Sequence, residues 1–187
     1  MNQIIENINN RRSVRYYEDR SLSNEMIDQI IAAGNMAPSG ANGQPWRFVI
    51  ITDKDYRRKL AELALPRYQA WLEKSSPIMK EVRKQIDAVS ADPVYYSAPM
   101  IVFVIGQGNT ADLDCAMACE NMMLAARSLG LGSCWVYFGQ LILDVAEVRQ
   151  MLELKEGEKV YGPLVFGYPK GDFPPSPPKK PPVIKVI

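Results

Sequence analysis

The segment Ala37-Pro38-Ser39-Gly40-Ala41-Asn42-Gly43-Gln44-Pro45-Trp46 runs straight into Arg47-Phe48-Val49-Ile50-Ile51-Thr52. Its first ten residues hold two prolines, two glycines and three amide or hydroxyl side chains. Prolines fix the backbone, and glycines let other atoms come close to it. Asn42 and Gln44 can donate and accept at once, which suits the edge of a planar heterocycle bearing carbonyl and N–H groups. The plain alternative is a turn ahead of a strand. The stretch WRFVIIT that follows is apolar and rich in β-branched residues, and predicts a buried strand over 46–52.

Outward from this strand the pattern alternates. MIVFVI at Met100–Ile105, Ser133–Phe138 and Val160–Phe166 read as further strands. Met26, Ile27, Ile30 and Ile31 have helical spacing, with Ser23 as N-cap and Gly34 as stop. Helices are also expected over Asp53–Leu65, over Arg67–Val89 with a break near Pro77, and over Asp144–Leu152. Thr110–Leu129 is apolar nearly all round, as a central helix would be. Strands separated by helices exclude an all-β sandwich, and several helices in a row exclude a regular βαβ repeat. The expectation is a single α+β domain over residues 1–187, with helices around one sheet.

The chain has 187 residues and contains no histidine. That removes Ser-His-Asp and Cys-His triads, HExxH zinc sites and histidine proton shuttles. Its 22 basic and 21 acidic side chains leave a net charge of +1, which offers no global field for nucleic acid or an anionic membrane. Cys115, Cys119 and Cys134 lack the partners for a zinc site and read as buried packing thiols. Met1–Asn10 has no apolar signal core, and Cys115–Leu131 is interrupted by Glu120, Asn121 and Arg127, so the expected location is the cytoplasm.

Seven prolines fall between Pro169 and Pro182, and the chain ends in Val183-Ile184-Lys185-Val186-Ile187. A stiff arm carrying a β-branched end is expected to pair with a sheet edge, of its own chain or of a partner.

Three further segments carry potential chemistry. In Arg11-Arg12-Ser13-Val14-Arg15, an extended backbone would point Arg11, Ser13 and Arg15 the same way, as a receptor for a phosphate monoester; a solvated basic turn is the alternative. Gly106-Gln107-Gly108-Asn109-Thr110-Ala111 fits the dinucleotide pattern G-x-G-x-x-G/A. Against it, Asp112 and Asp114 stand where a pyrophosphate would bind, and a glycine-bearing turn is the better account. Gly130-Leu131-Gly132-Ser133-Cys134-Trp135-Val136-Tyr137-Phe138-Gly139 shows a helix stop, a strand and a close approach of backbone.

Taken in order, RRSVR, APSGANGQPWRFVI, SAPMIVFVI, ENMMLAARSLGLGSCWV and the late Gly167-Tyr168-Pro169 resemble the FMN-dependent nitroreductase family from about Arg11 to the tail. The resemblance implies a central, mainly antiparallel sheet surrounded by helices, and a homodimer with two FMN molecules at its interface. It implies that Arg11, Arg12, Ser13 and Arg15 hold the phosphate, ribityl chain and pyrimidine edge. Pro38, Ser39, Gly40 and Asn42 would come from the other subunit to cover the ring. The backbone at Tyr137, Phe138 and Gly139 would approach flavin N5 and O4. Where the family usually has a phosphate-binding arginine after the late proline stretch, this chain offers Lys179 or Lys180, which keep the charge but lose the bidentate fork.

The implied activity passes electrons from NADH or NADPH through FMN to nitroaromatics, quinones or similar acceptors by a ping-pong mechanism. No catalytic side chain is assigned, because the cofactor carries the chemistry. Alternatives are a flavin reductase or specialised member with a non-nitro substrate, an FMN carrier or sensor with little turnover, and a nicotinamide-dinucleotide enzyme built on the glycine turn. Tyr68, Trp71, Tyr95 and Tyr96 either shape the substrate pocket or pack the core.

Overall fold

Among the described residues four strands, β1 (Trp46–Ile51), β2 (Met100–Gly106), β3 (Gly132–Trp135) and β4 (Lys159–Gly167), form one sheet in the order β1-β2-β4-β3. Every pairing is antiparallel. The structure, a computed structural model, describes residues 2–88 and 90–186; Met1, Val89 (the expected end of a helical segment) and Ile187 (the last residue of the tail) lie outside them. Among the described residues six α-helices surround the sheet: α1 (Gln3–Asn10), α2 (Asn24–Asn35), α3 (Lys54–Glu73), α4 (Pro77–Asp87), α5 (Ala111–Ser128) and α6 (Ala146–Met151).

β2 is buried at every position, which is why it reads as an unbroken apolar run rather than an alternating one. Its side chains still alternate between faces. Ile101, Phe103 and Ile105 join Leu60, Ala64 and Val148 from α3 and α6, while Met100, Val102 and Val104 join Ile30, Cys115, Cys119 and Met122 from α2 and α5. All three cysteines are free and buried.

Several boundaries differ from expectation. Gly34 is not a helix stop: it lies inside α2, which Met36 caps, and a Cβ there would come within 2.7 Å of Met122 Cγ. Its smallness is what lets α2 and α5 approach. The break expected at Pro66 is absent, because α3 runs through it for 20 residues. Burial of Leu60, Ala64 and Tyr68 on one stripe outweighs the lost backbone bond. The break at Pro77 is real, with Ser76 capping α4 and proline in its first turn. The strand expected to Phe138 ends at Trp135, and Tyr137–Ile142 forms a 3₁₀ turn instead. α5 is central, as expected, packing on α1, α2 and all four strands, but it is not buried all round: its outward residues Leu113 and Met117 are exposed, as are Ile4, Ile5 and Ile8 of α1.

α5 ends as its sequence suggests. Gly130 adopts a positive φ of 75°, and the Leu131 N–H reaches back to the Ala126 carbonyl at 2.8 Å, closing a Schellman motif. The chain then turns directly into β3, beside the N-terminal basic segment. Residues 174–186 of the arm form no strand within this chain, and Val183, Ile184 and Val186 are exposed.

Candidate cofactor-binding site

The basic segment is placed by β3 and by α5. The Val14 N–H donates to the Ser133 carbonyl at 2.9 Å, and a Cβ on Gly132 would strike Val14 at 2.7 Å, so β3 needs glycine to let the segment in. On the other side, Asn7 Nδ2 donates to the Leu124 carbonyl at 2.9 Å and Arg127 Nε to the Asn10 carbonyl at 3.1 Å. These contacts fix both ends of Arg11–Val14.

The proline arm is pinned to the same segment. Lys170 N–H donates to the Tyr16 carbonyl at 3.2 Å, Tyr16 Oη donates to the Asp172 carbonyl at 2.9 Å, and the Arg127 guanidinium lies 4.0 Å from the Phe173 ring centre. From there the arm passes over the basic segment and closes a cleft of about 860 Å³, within the size range of small-molecule sites. Arg11, Arg12, Ser13, Arg15 and Lys179 all line it, together with Glu120 of α5. Lys180 is not part of its wall.

The four cations are not equivalent. Arg12 Nη1 already donates to the Asn9 and Arg11 carbonyls, both at 2.7 Å. Arg11 Nε lies 3.5 Å from Glu120 Oε1. Arg15 Nη1 makes one long bond, 3.4 Å, to the Ser13 carbonyl, and its Nε is buried without any acceptor. A buried guanidinium N–H left unpaired is costly, and such a group marks a place where a ligand belongs. Cys134 lies behind it: burial pushes its thiol pKa up, and the nearby Arg15 charge and Ser13 hydroxyl offset part of that rise.

The other expected site residues lie elsewhere on this chain. Pro38, Ser39, Gly40 and Asn42 form a loop at the N-terminal end of α5, where the Gly40 N–H donates to the Asp114 carboxylate; none of them lines the cleft. Tyr137, Phe138 and Gly139 follow β3 on the 3₁₀ turn. Tyr137 is exposed, whereas Gly139 is buried so tightly that a Cβ would come within 2.4 Å of Pro163. At the glycine turn 106–111 the Gln107 N–H donates to the Pro45 carbonyl at 3.3 Å, and the two acids that follow are engaged within the chain: Asp112 accepts from Tyr161 Oη at 2.6 Å and from Lys159 Nζ at 3.2 Å, and Asp114 accepts from Gly40.

Of the four aromatics, Tyr68, Tyr95 and Tyr96 are core residues. Tyr68 and Trp71 pack on Phe138, with ring centres 5.1 and 4.5 Å from it. Behind them lies a buried charge with no local signal in the sequence. Arg83, 5% exposed, donates to Tyr68 Oη at 2.8 Å, Tyr96 Oη at 3.3 Å, Asp87 Oδ1 at 2.7 Å and the Pro93 carbonyl at 2.7 Å. Burial and the Asp87 carboxylate push the Tyr68 hydroxyl up to about 12. Among the described residues no group of acidic, cysteine or histidine side chains could hold a metal ion, and no helix is long and apolar enough to cross a membrane.

The chain is similar to known proteins over most of its length. The sequence pattern of the nitroreductase family matches residues 8–168. A protein of Archaeoglobus fulgidus provisionally named NADH dehydrogenase/NAD(P)H nitroreductase is 33% identical over 172 residues, spanning 92% of this chain and 88% of its own. An FMN reductase [NAD(P)H] of Bacillus subtilis is 29% identical over 90% of this chain and 67% of its own. The crystal structure of a Bacteroides fragilis nitroreductase with bound FMN superposes with a TM-score of 0.79 at 31% identity, covering 100% of both chains.

Proposed function

The chain belongs to the nitroreductase family, and from that premise we propose that it is an FMN-dependent oxidoreductase that takes electrons from NADH or NADPH and delivers them to nitroaromatic, quinone or similar small acceptors. The observation that carries the reading is the cleft: three arginines and Lys179 converge on one space, and Arg15 Nε is buried there without a partner. A phosphate with several acceptor oxygens, continued by a polar chain and a heterocycle with carbonyl acceptors, fits that donor set. Bound FMN would supply hydride acceptance and release.

The chain's own residues hold and orient. Arg11, Ser13 and Lys179 would take the phosphate, with Arg12 bracing the segment through its two carbonyl contacts. Arg15 would reach the pyrimidine edge. The Tyr137–Gly139 backbone, wedged against Pro163 and Tyr95, would offer a rigid edge that excludes water from one side. With one open face on the flavin and no convincing second nucleotide-binding motif in the sequence, donor and acceptor would use that face in turn, which is ping-pong kinetics.

The proposed assembly is a homodimer. Three observations support it: the exposed apolar residues of α1 and α5, the exposed Val183, Ile184 and Val186, and a Pro38–Asn42 loop that stands apart from its own chain's cleft. A second chain would use all three. The purified protein is expected to be yellow with twin flavin absorption bands, to bleach with NADH, and to give parallel double-reciprocal lines with a quinone. A colourless protein that cannot be reconstituted with FMN would overturn the proposal.

A further inference from the structure

The carboxylate of Asp114 is 3% exposed, and its two oxygens share the Gly40 N–H at 3.3 and 3.4 Å. The partners lie 74 residues apart, so the contact is not a by-product of a local turn. A buried carboxylate is costly unless hydrogen-bonded, and this one also sits in the first turn of α5, where the helix dipole favours its charge.

The loop that it holds is strained. Ala41, Asn42 and Gln44 have positive φ values of 50°, 56° and 43°. Each such residue costs on the order of 1 kcal/mol or more, and persists only where its surroundings dictate the shape. Ala41 to Gln44 are all exposed, so packing of their side chains within this chain does not dictate it. Internal bonds help: Ser39 Oγ accepts the Gln44 N–H at 3.0 Å, and the Gly40 carbonyl accepts the Gly43 N–H at 2.9 Å. Among the described residues, the Asp114 bond and the close packing of Gly40 on Thr110 tie the middle of the loop to α5, while its ends are held by the buried Ala37 and by the Gln107 N–H, which donates to the Pro45 carbonyl at 3.3 Å. That part of the framework is itself secured, since Asp112 links α5 to Tyr161 and Lys159 of β4.

We infer that Asp114 is a positioning residue: it fixes the Ser39–Asn42 loop in the shape that covers the flavin ring. The inference rests on the proposed function, and Asp114 itself touches no cofactor. Because the loop would act on the ring and the basic segment on the phosphate, the two contributions separate by ligand. Riboflavin has the ring without the phosphate.

The test is fluorescence titration of apoprotein with FMN and with riboflavin, for wild type, Asp114→Ala, Asp114→Asn and Arg11→Ala. Asp114→Ala is expected to weaken both ligands by the same factor, about five- to tenfold. Asp114→Asn keeps the volume and one acceptor for Gly40, and should weaken both by only about two- to threefold. Arg11→Ala should weaken FMN alone. Wild-type affinities in the Asp114 variants, or a loss confined to FMN, would overturn the positioning role while leaving the cofactor assignment standing. If Asp114→Ala does not fold, Asp114→Asn decides alone by the same criteria. If Arg11→Ala binds FMN like wild type, the assignment of Arg11 to the phosphate falls; if wild type binds neither ligand, it is the cofactor assignment that falls.

Discussion

Arg11 Nε lies 3.5 Å from Glu120 Oε1, so one of the arginines facing the cleft is already paired with a carboxylate on the same wall. Glu120 is half exposed, and an anion entering the cleft must compete with it for Arg11. Two opposite effects follow. Arg11→Ala removes a charge-assisted contact of about 1.5–3 kcal/mol, so FMN affinity should fall roughly ten- to a hundredfold and the variant should purify mostly as folded apoprotein. Glu120→Gln removes the competitor, and should tighten FMN by about two- to fivefold at low salt and by less at high salt. Fluorescence titrations at two ionic strengths check both; full flavin retention by Arg11→Ala would sink the phosphate assignment.

The arm ends in exposed Val183, Ile184 and Val186, side chains that a single chain leaves in water. Burying three β-branched residues on a partner contributes several kcal/mol at about 1.5–3 kcal/mol each. Deleting Pro182 to Ile187 should therefore lower thermal stability and raise the dimer dissociation constant by an order of magnitude or more. Sedimentation of wild type and truncated protein at micromolar concentration is the measurement. A wild-type chain that stays monomeric with flavin bound would refute the dimer.

Glu158 is held to a pKa of about 2 chiefly by the Arg47 guanidinium, which donates to its two oxygens at 2.9 and 2.7 Å, with help from the Lys155 N–H. Folding thus favours the charged form. The resulting stability is complete above the ordinary carboxylate range, declines as pH drops below about 4.5, and is gone below about 2. Because Arg47 is one-third exposed, about 1–2 kcal/mol is a fair expectation. Glu158→Gln should lose that amount in urea unfolding at pH 6, and the gap to wild type should narrow at pH 3. A gap that does not change with pH would contradict the pairing.

What could be read in the sequence follows from how local its cause is. β1 was legible as a strand but its expected burial was not met, since it lies at the sheet edge with only Trp46 and Ile51 buried. β2 was legible because a continuous β-branched run needs only a two-sided core, and Ser76-Pro77 because capping is a local bond. The continuity of α3 through Pro66 was not, since the burial that overrides proline comes from β2 and β4, far along the chain. The basic segment and Lys179 were recognised separately by charge and by resemblance, but their convergence depends on Tyr16, Arg127 and Phe173 pinning the arm. Arg83 gave no sign. A lone arginine in a helix with charged neighbours reads as solvated, and only Tyr68, Tyr96 and the Pro93 carbonyl bury it. Asp114 was noticed as an acid unfavourable to pyrophosphate, while its partner Gly40 lies in another motif altogether.

Arg15 is set apart from Arg11 by its surroundings, and a different role is expected of it. Arg11 has a carboxylate partner, whereas Arg15 has one long bond to its own segment and a buried Nε with none. Among the side chains facing Cys134 it is the largest of the influences favouring negative charge there, so its field is felt on that side of β3. Reduction adds negative charge to a flavin's pyrimidine side. A fixed guanidinium about 4 Å from a unit charge stabilises it by about 4 kcal/mol at an effective dielectric of 20, and solvent screening leaves part of that. Arg15→Gln keeps hydrogen-bonding capacity and much of the length while removing the charge. It should retain much of its FMN, show a more negative midpoint potential and reduce more slowly with NADH. The decisive measurement is a redox titration of wild type and Arg15→Gln at equal flavin occupancy. An unchanged midpoint accompanied by weakened FMN binding would place Arg15 with Arg11 on the phosphate, and the two arginines would then share one role.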